Sequence, residues 1–398
     1  MIRPTVARVD LQAIESNLRA IAAFLLGPRS PVAPPPPPGG DGEASPEPAP
    51  HSTRAAAGPR IIGVVKANAY GHGAREVGLA LERAGAAVLA CADIEEGIAL
   101  RDAGVRAPIL VFGALGISDL DGLFTHTLTP TISTPSAAAA LQQAAARHAT
   151  VLRCHLKIDT GMNRLGFRHD NLARTIPEVA SSRNLAIDAV YTHFATADDP
   201  DGDMFAVQRE RFERACAEVS ALGIRPASRH AANSAALLRD ERVWYDFVRP
   251  GLLLYGIVPP PLASTLRLRP ALSLHSRIVH VKGMRPGEGT GYGLKTVVDR
   301  PATIAVVPAG YADGLDRRLA GAGAMLVRGR RAPIVGSVCM DMTTIDVTGM
   351  DVYPGDEVVI VGEQDGASIG MREMSAAIGT IPYELLCRVG TRIERLYD

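Results

Sequence analysis

Lys66 stands where a run of branched apolar residues, Ile61-Ile62-Gly63-Val64-Val65, gives way to Ala67-Asn68-Ala69-Tyr70-Gly71-His72-Gly73. Such a run reads as a buried strand. A lysine desolvated at the tip of one has a lowered pKa, which suits Schiff-base chemistry. A strand-end lysine snorkelling to solvent is the plain structural alternative. Other polar residues stand at comparable places: Lys157, Asp159 and Arg164, His193, Asn233 and Ser234, and Arg249 with Gly251. Their recurrence at the ends of apolar runs is not that of a random scatter. Asn233-Ser234 is equally a helix N-cap pair. Lys157 and Asp159, two apart on one strand face, are equally a salt bridge, and His193 and His230 are equally core histidines.

Strands must position these groups. Candidates are Ile61–Ala67, Ala86–Ala92, Ala107–Gly113, Leu128–Thr134, Val151–Asp159, Ala186–Ala195, Pro226–Ala232 and Val243–Gly251, with helical segments between them such as Ala74–Gly85, Ile94–Gly104, Pro135–Ala149 and Asp203–Gly223. Eight alternating units predict an α/β fold, a parallel (β/α)8 TIM barrel. The open doubly wound sheet is the alternative, but the GxGxxG turn that usually accompanies it is missing. In a barrel the chemistry gathers at the C-terminal ends of the strands, and each polar residue named above falls there.

From about Ala271 the texture changes to short β-branched segments between Gly/Pro turns: Ser276–Lys282, Ala302–Pro308, Ala324–Val327, Ala332–Val338 and Glu357–Val361. A helix is expected at Met371–Ile378 and a last strand within Ile393–Tyr397. The division predicted is a barrel over 1–268 and a mostly β domain over 269–398. Residues 27–58, with five consecutive prolines from Pro34 to Pro38, read as an extended insertion without a core.

Composition narrows the classes. Lys+Arg and Asp+Glu are both 42, so no bulk charge favours nucleic acid or an anionic membrane. No apolar run approaches the roughly 20 residues of a membrane span. Five scattered cysteines without a CxxC pair are expected to be reduced thiols of a cytoplasmic protein.

Eight segments carry a resemblance, in order along the chain: VVKANAYGHG (Val64–Gly73), KIDTGMNRLG (Lys157–Gly166), THFATAD (Thr192–Asp198), AANSAA (Ala231–Ala236), VRPGLLLYG (Val248–Gly256), GYG (Gly291–Gly293), GYADG (Gly310–Gly314) and VCMD (Val338–Asp341). Each is similar to a segment of the alanine racemases, fold-type III enzymes that use pyridoxal phosphate. The resemblance implies interconversion of L- and D-alanine, supplying D-alanine for peptidoglycan, by a homodimer with shared active sites. It implies that Lys66 carries the cofactor and moves a proton on one face of the substrate. Tyr292 does so on the other face, reaching across from the partner subunit. A tyrosine of pKa about 10 needs roughly 4 kcal/mol of phenolate stabilisation to work near neutrality, and Arg164 is the candidate source.

By the same resemblance, the phosphate is held by Tyr70, Ser234, the amides of Gly251 and Leu252, and Tyr383, with Asn233 beside them. His193 packs on the cofactor ring and Arg249 bonds its nitrogen. Arg164 lies near the substrate carboxylate, Met340 offers it a backbone N–H, and Tyr311 lines the entrance. Lys157 matches a lysine that is carbamylated in some members, and Asp313 is structural. Where many members carry a Thr-Tyr pair after GYG, this chain has Leu294-Lys295-Thr296. A racemase of another small amino acid such as serine, a fold-type III decarboxylase, and a pyridoxal-phosphate-binding homeostasis protein are the rivals. The decarboxylase would carry a carboxylate where Arg249 stands, and the homeostasis protein would lack the second domain.

Overall fold

The computed structural model describes residues 4–27, 58–114 and 119–398; most of the proline-rich insertion lies outside them. Eight parallel strands close on themselves: Arg60–Val64, Val88–Cys91, Ile109–Val111, Leu128–Ile132, Leu152–Asp159, Leu185–Tyr191, Ser228–Asn233 and Phe247–Arg249. Closure is made by Phe247 and Val248 of the last strand pairing in parallel with Arg60 and Ile61 of the first. The TIM barrel read from the sequence is therefore the fold. Apolar runs such as Ile109–Val111, buried throughout, form strands because both of their faces are covered. The surrounding helices start where the sequence supplies caps. Asp93 accepts the Glu96 N–H before Ile94–Asp102, and Thr134 accepts the Ala137 N–H before Pro135–Arg147.

The barrel interior is filled in two different ways. At the lower end Ile62, Ala90, Leu110 and Phe247 form a small apolar cluster. Above it, toward the C-terminal ends of the strands, buried polar groups are bonded to one another. Thr131 Oγ1 and Tyr191 Oη lie 2.9 Å apart, His155 Nδ1 and His230 Nε2 3.0 Å, and Tyr191 stacks on His230 at 4.6 Å between centroids. Satisfied buried polar groups rigidify a core.

The second domain is built on one long sheet, mostly antiparallel, with the helices Met371–Ala377 and Pro382–Cys387 near its end. Three of the expectations need correction. The single strand expected over Ser276–Lys282 is two, Leu272–Arg277 and His280–Met284, broken at Ile278-Val279. The last barrel strand is shorter than Val243–Gly251, because Glu241–Val243 forms a 3-10 turn. The opening segment does not belong wholly with the barrel: Val6–Val9 pairs antiparallel with Leu272–His275 and parallel with Glu394–Tyr397, inside the second sheet. The helix Leu11–Leu26 then crosses back to the barrel. Its buried Asn17 donates to the carbonyls of Leu254 and Arg269 and accepts from the Arg269 N–H, joining helix to inter-domain linker.

Candidate active site

At the C-terminal mouth of the barrel lies a cavity of about 680 Å³. It brings together Lys66, Tyr70, Lys157, Arg164, His193, Asn233, Ser234, Arg249 and Gly251 from the barrel and Tyr383 from the second domain. Lys66 does not end the first strand as expected. The strand stops at Val64, and Lys66 opens a short turn in which Ala67, Asn68, Ala69 and Tyr70 all have φ between 52° and 53°. Four consecutive L-residues in the left-handed helical region carry strain of roughly 1–2 kcal/mol each, so the turn needs hydrogen bonds to hold it. Asn68 Oδ1 accepts the Ala74 N–H, and His72 Nδ1–H donates to the carbonyls of Ala69 and Tyr70 at 3.0 and 2.9 Å. Burial holds His72 neutral, its pKa lowered to about 4.

The turn aims Tyr70 into a cradle. Its buried ring lies 4.9 Å from Tyr255 and 5.8 Å from Tyr383, between centroids. A Cβ at Gly251 would lie 2.4 Å from Tyr70 Oη, so only glycine leaves room there. Ser234 Oγ accepts the Gly251 N–H at 2.9 Å, while Asn233 caps Ser234–Arg239 through the Ala236 N–H. The N-cap reading of the Asn-Ser pair therefore holds, and both residues also line the cavity. The two amides expected to serve the phosphate are placed differently: that of Gly251 is donated to Ser234, and Leu252 lies buried, opening the 3-10 turn Leu252–Tyr255.

Arg249 is buried, and among the described residues no carboxylate lies within ion-pair distance of it. It donates to His230 Nδ1 at 2.8 Å and to the carbonyls of Thr192 and Ala231 at 2.8 Å each. A guanidinium has only donors. His230 Nδ1 must therefore accept, and Nε2–H donates to His155, which fixes the tautomer of both rings. Burial lowers the Arg249 pKa to about 10, which leaves it charged at neutral pH. His193 lies beside it, its Nδ1 3.3 Å from Arg249 Nη2, and is kept neutral by burial and then by Arg249.

Lys66 and Lys157 both have lowered pKa values, through burial first and Arg164 second; that of Lys157 is brought down to about 8. Asp159 accepts the N–H groups of Gly161 and Asn163. Among the described residues no ion pair joins it to Lys157, so the salt-bridge alternative fails. Four cationic side chains thus face one cavity whose lining, among the described residues, holds a single carboxylate, Asp198, an arrangement that favours an anionic ligand.

Tyr292, Tyr311 and Met340 do not line this cavity. They sit together on the second domain: Ser337 Oγ donates to the Tyr292 carbonyl, the Tyr311 N–H to that of Cys339, and the Ala312 N–H to that of Met340. Tyr292 is 77% exposed and Met340 52% exposed, beside exposed Leu294, Val297 and Met342. Asp313 is buried and accepts the Gly310 N–H, a structural place as expected. Among the residues that escaped the sequence reading are Tyr191 and Cys387, which line the cavity, and, just outside it, Glu96, whose carboxylate accepts from the backbone at the Lys66 turn. The signal for Glu96 was present in Asp93-x-x-Glu96, the spacing of a capping box.

A barrel with a lysine in a cation-lined cavity at its C-terminal mouth, joined to a β domain, is the architecture of the fold-type III class of pyridoxal-phosphate proteins. Comparison with known proteins narrows the class. The models of the N-terminal and C-terminal alanine racemase domains match residues 51–259 and 271–397. An alanine racemase of Symbiobacterium thermophilum is 38% identical over 398 residues, covering 100% of this chain and 97% of its own. One of Carboxydothermus hydrogenoformans is 44% identical over 341 residues, covering 84% and 91%. Among solved structures, an alanine racemase from Streptomyces lavendulae superposes with a TM-score of 0.89 at 30% identity, covering 100% and 98%. One from Bartonella henselae, with covalently bound pyridoxal phosphate, gives 0.82 at 26%, covering 99% of each chain. The chain belongs to the alanine racemase family.

Proposed function

We propose that this chain is a pyridoxal-phosphate-dependent amino-acid racemase, an isomerase that interconverts L- and D-alanine. The observation that carries the reading is the buried Arg249, with no acidic partner among the described residues, in the same cavity as Lys66. The residues fit the cofactor. Tyr70, Ser234 and Tyr383 surround a cradle that a Cβ at Gly251 would fill, and the cationic field suits a phosphate. Lys66 would hold it covalently, Arg249 would face its ring nitrogen, and His193 would pack on the ring. When bound, the cofactor supplies an electron sink for the α-carbon.

The protein moves the protons. Set free when the substrate's amino group takes its place, Lys66, desolvated and beside Arg164, would give up its own proton more readily than an exposed lysine and could take one from the α-carbon on its face. Arg164 orients the substrate carboxylate. Arg249 stays protonated and would hand no proton to a ring nitrogen facing it, so the sink supplied there would be a weak one. A decarboxylase of this class would place a carboxylate there.

The opposite face requires a second acid–base group, and Tyr292 is our assignment, supplied by a second copy of the chain with Met340 and Tyr311 beside it. Its 77% exposure on a patch with Leu294, Val297 and Met342 supports a homodimer in which each copy completes the other's site. Lys157, with its pKa near 8, is partly uncharged at neutral pH and suited to carbamylation. No helix among the described residues is long and apolar enough to cross a membrane. All five cysteines are unpaired, and we infer a reducing cytoplasm and a supply of D-alanine to peptidoglycan.

The test is to follow optical rotation and α-proton loss of L-alanine in deuterium oxide with added pyridoxal phosphate. Loss of rotation with deuterium at the α-position is the expected result. Absence of exchange with alanine, but exchange with serine, would move the assignment to another amino acid.

A further inference from the structure

Glu96 lies on the helix Ile94–Asp102, outside the cavity lining, yet its two carboxylate oxygens are spent on the active-site scaffold. Oε1 accepts the N–H of Ala67, the residue after Lys66, at 2.6 Å. Oε2 accepts the N–H of Ala92, just beyond the neighbouring barrel strand Val88–Cys91, at 2.7 Å. The parallel ladder between the first two strands ends with the Val65 N–H donating to the Ala90 carbonyl. Past that point neither backbone pairs with the other, and the carboxylate bridges them. Glu96 is itself fixed, its own N–H donating to Asp93 Oδ1 at 2.8 Å. A capping-box glutamate ordinarily turns back to its own N-cap N–H; here it reaches past it to two other elements.

Ala67 is the first residue of the left-handed turn, and its N–H is where that turn leaves the strand. Of the other holders of the turn, His72 lies within the same segment, Asn68 ties it to the Ala74 N–H at the start of the following helix, and Arg395 Nε donates to the Gly71 carbonyl just after it. Glu96 holds the first residue of the turn, from the helix that follows the neighbouring strand. From this geometry we infer that Glu96 is a positioning residue for catalysis. By pinning the Ala67 and Ala92 N–H groups it fixes the left-handed turn, and with it both the direction in which Lys66 leaves the backbone and the seat of Tyr70. The inference rests on the racemase reading for its kinetic consequence, not for the clamp itself.

Glu96→Gln keeps one acceptor oxygen but sets an NH2 group against the other backbone N–H. The experiment measures hydrogen–deuterium exchange of the peptides covering 64–72 and 88–93 in the full-length holoenzyme. It also measures kcat and KM per cofactor-loaded site with L- and D-alanine, and the Tm. We expect exchange in those two peptides alone to rise about tenfold to 100-fold, the loss of a hydrogen bond to a charged group. We expect kcat to fall by a similar factor in both directions with KM little changed. Glu96→Asp, which keeps the charge but falls one methylene short, should lie between the two and serves if the glutamine variant does not fold. Unchanged exchange at both peptides overturns the clamp. A kcat per loaded site equal to wild type, with only Tm lowered, reduces Glu96 to a structural residue and overturns the positioning role. If the wild-type protein does not racemise alanine while exchange still rises in the variant, the racemase reading fails and the clamp stands.

Discussion

Gly251→Ala is the substitution whose effect can be worked furthest from the structure. The backbone at Gly251 has φ −114°, outside the left-handed region, so the cost of a side chain is one of room. The new Cβ meets Tyr70 Oη at 2.4 Å and Cζ at 3.0 Å, and ordinary contact needs about 1 Å more at the hydroxyl. Tyr70 has little freedom to yield, being 7% exposed, packed at a tilt against Tyr255 and Tyr383, and fixed in a left-handed backbone. Overpacking of this kind costs about 1–3 kcal/mol. Displacing the hydroxyl from a bound phosphate removes a charged hydrogen bond of roughly 1.5–3 kcal/mol. We therefore predict that the Kd for pyridoxal phosphate, measured by equilibrium dialysis against the apoprotein, rises about 10-fold to 150-fold. The value of kcat at saturating cofactor should change little, because the cradle holds the phosphate and touches no moving proton. A double-mutant cycle with Tyr70→Phe sharpens the test. Once the hydroxyl is gone, the alanine should cost less than it does alone, since the two changes act on one contact. Wild-type affinity in Gly251→Ala, or strict additivity in the cycle, would refute the assignment of Tyr70 and Gly251 to one phosphate cradle.

Three further predictions concern other parts of the site. Tyr292→Phe should selectively impair proton abstraction from L-alanine while leaving the Tm unchanged, because the side chain is largely exposed on a single copy; equal losses of rate and of isotope effect in both directions would count against it. Lys157 should take up 13C-labelled carbonate as a carbamate signal in NMR that Lys157→Met lacks; a wild-type spectrum without that signal would reject the modification. His155 and His72 are both held by burial at pKa values of about 4, below the 6.5 of an unfolded histidine. The unfolded chain binds more protons between those values, so each group removes stability as the pH falls from about 6.5 to 4. His155→Gln should make the loss of Tm across that window shallower, and an identical slope in wild type and variant would show that His155 does not carry it.

The barrel was legible because its strands are buried on both faces and so read as continuous apolar runs, and because polar residues recur at one end of them. Leu128–Ile132 and Leu152–Asp159 fell almost where the pattern placed them. The turn after Lys66 was not legible. Of Ala67, Asn68, Ala69 and Tyr70 only asparagine favours positive φ, and the segment is held in place by Glu96, distant in sequence. The four-residue strand Val6–Val9 is too short to announce itself, and its partners lie at the other end of the chain. The candidate site was legible as a list of residues but not as a grouping. Lys66, Arg164 and Arg249 share a cavity, whereas Tyr292, Tyr311 and Met340 gather on another face. Spacing along a chain does not say which side chains the fold keeps out of a shared cavity.

The pairing of Val6–Val9 between Leu272–Arg277 and Glu394–Tyr397 has a consequence for the order in which the fold can be completed. This strand is synthesised well before either of its two neighbours. The barrel can close once Phe247–Arg249 has been synthesised, but the second sheet stays open along one edge until Glu394–Tyr397 has emerged. Asp398 takes part as well, since its N–H donates to the Val9 carbonyl and its own carbonyl accepts the Leu11 N–H. Removal of Glu394–Asp398 would leave Val6–Val9 unpaired on one side and the helix Leu11–Leu26 without a tie at its start. Synthesis of that short segment therefore acts as a checkpoint on the second domain.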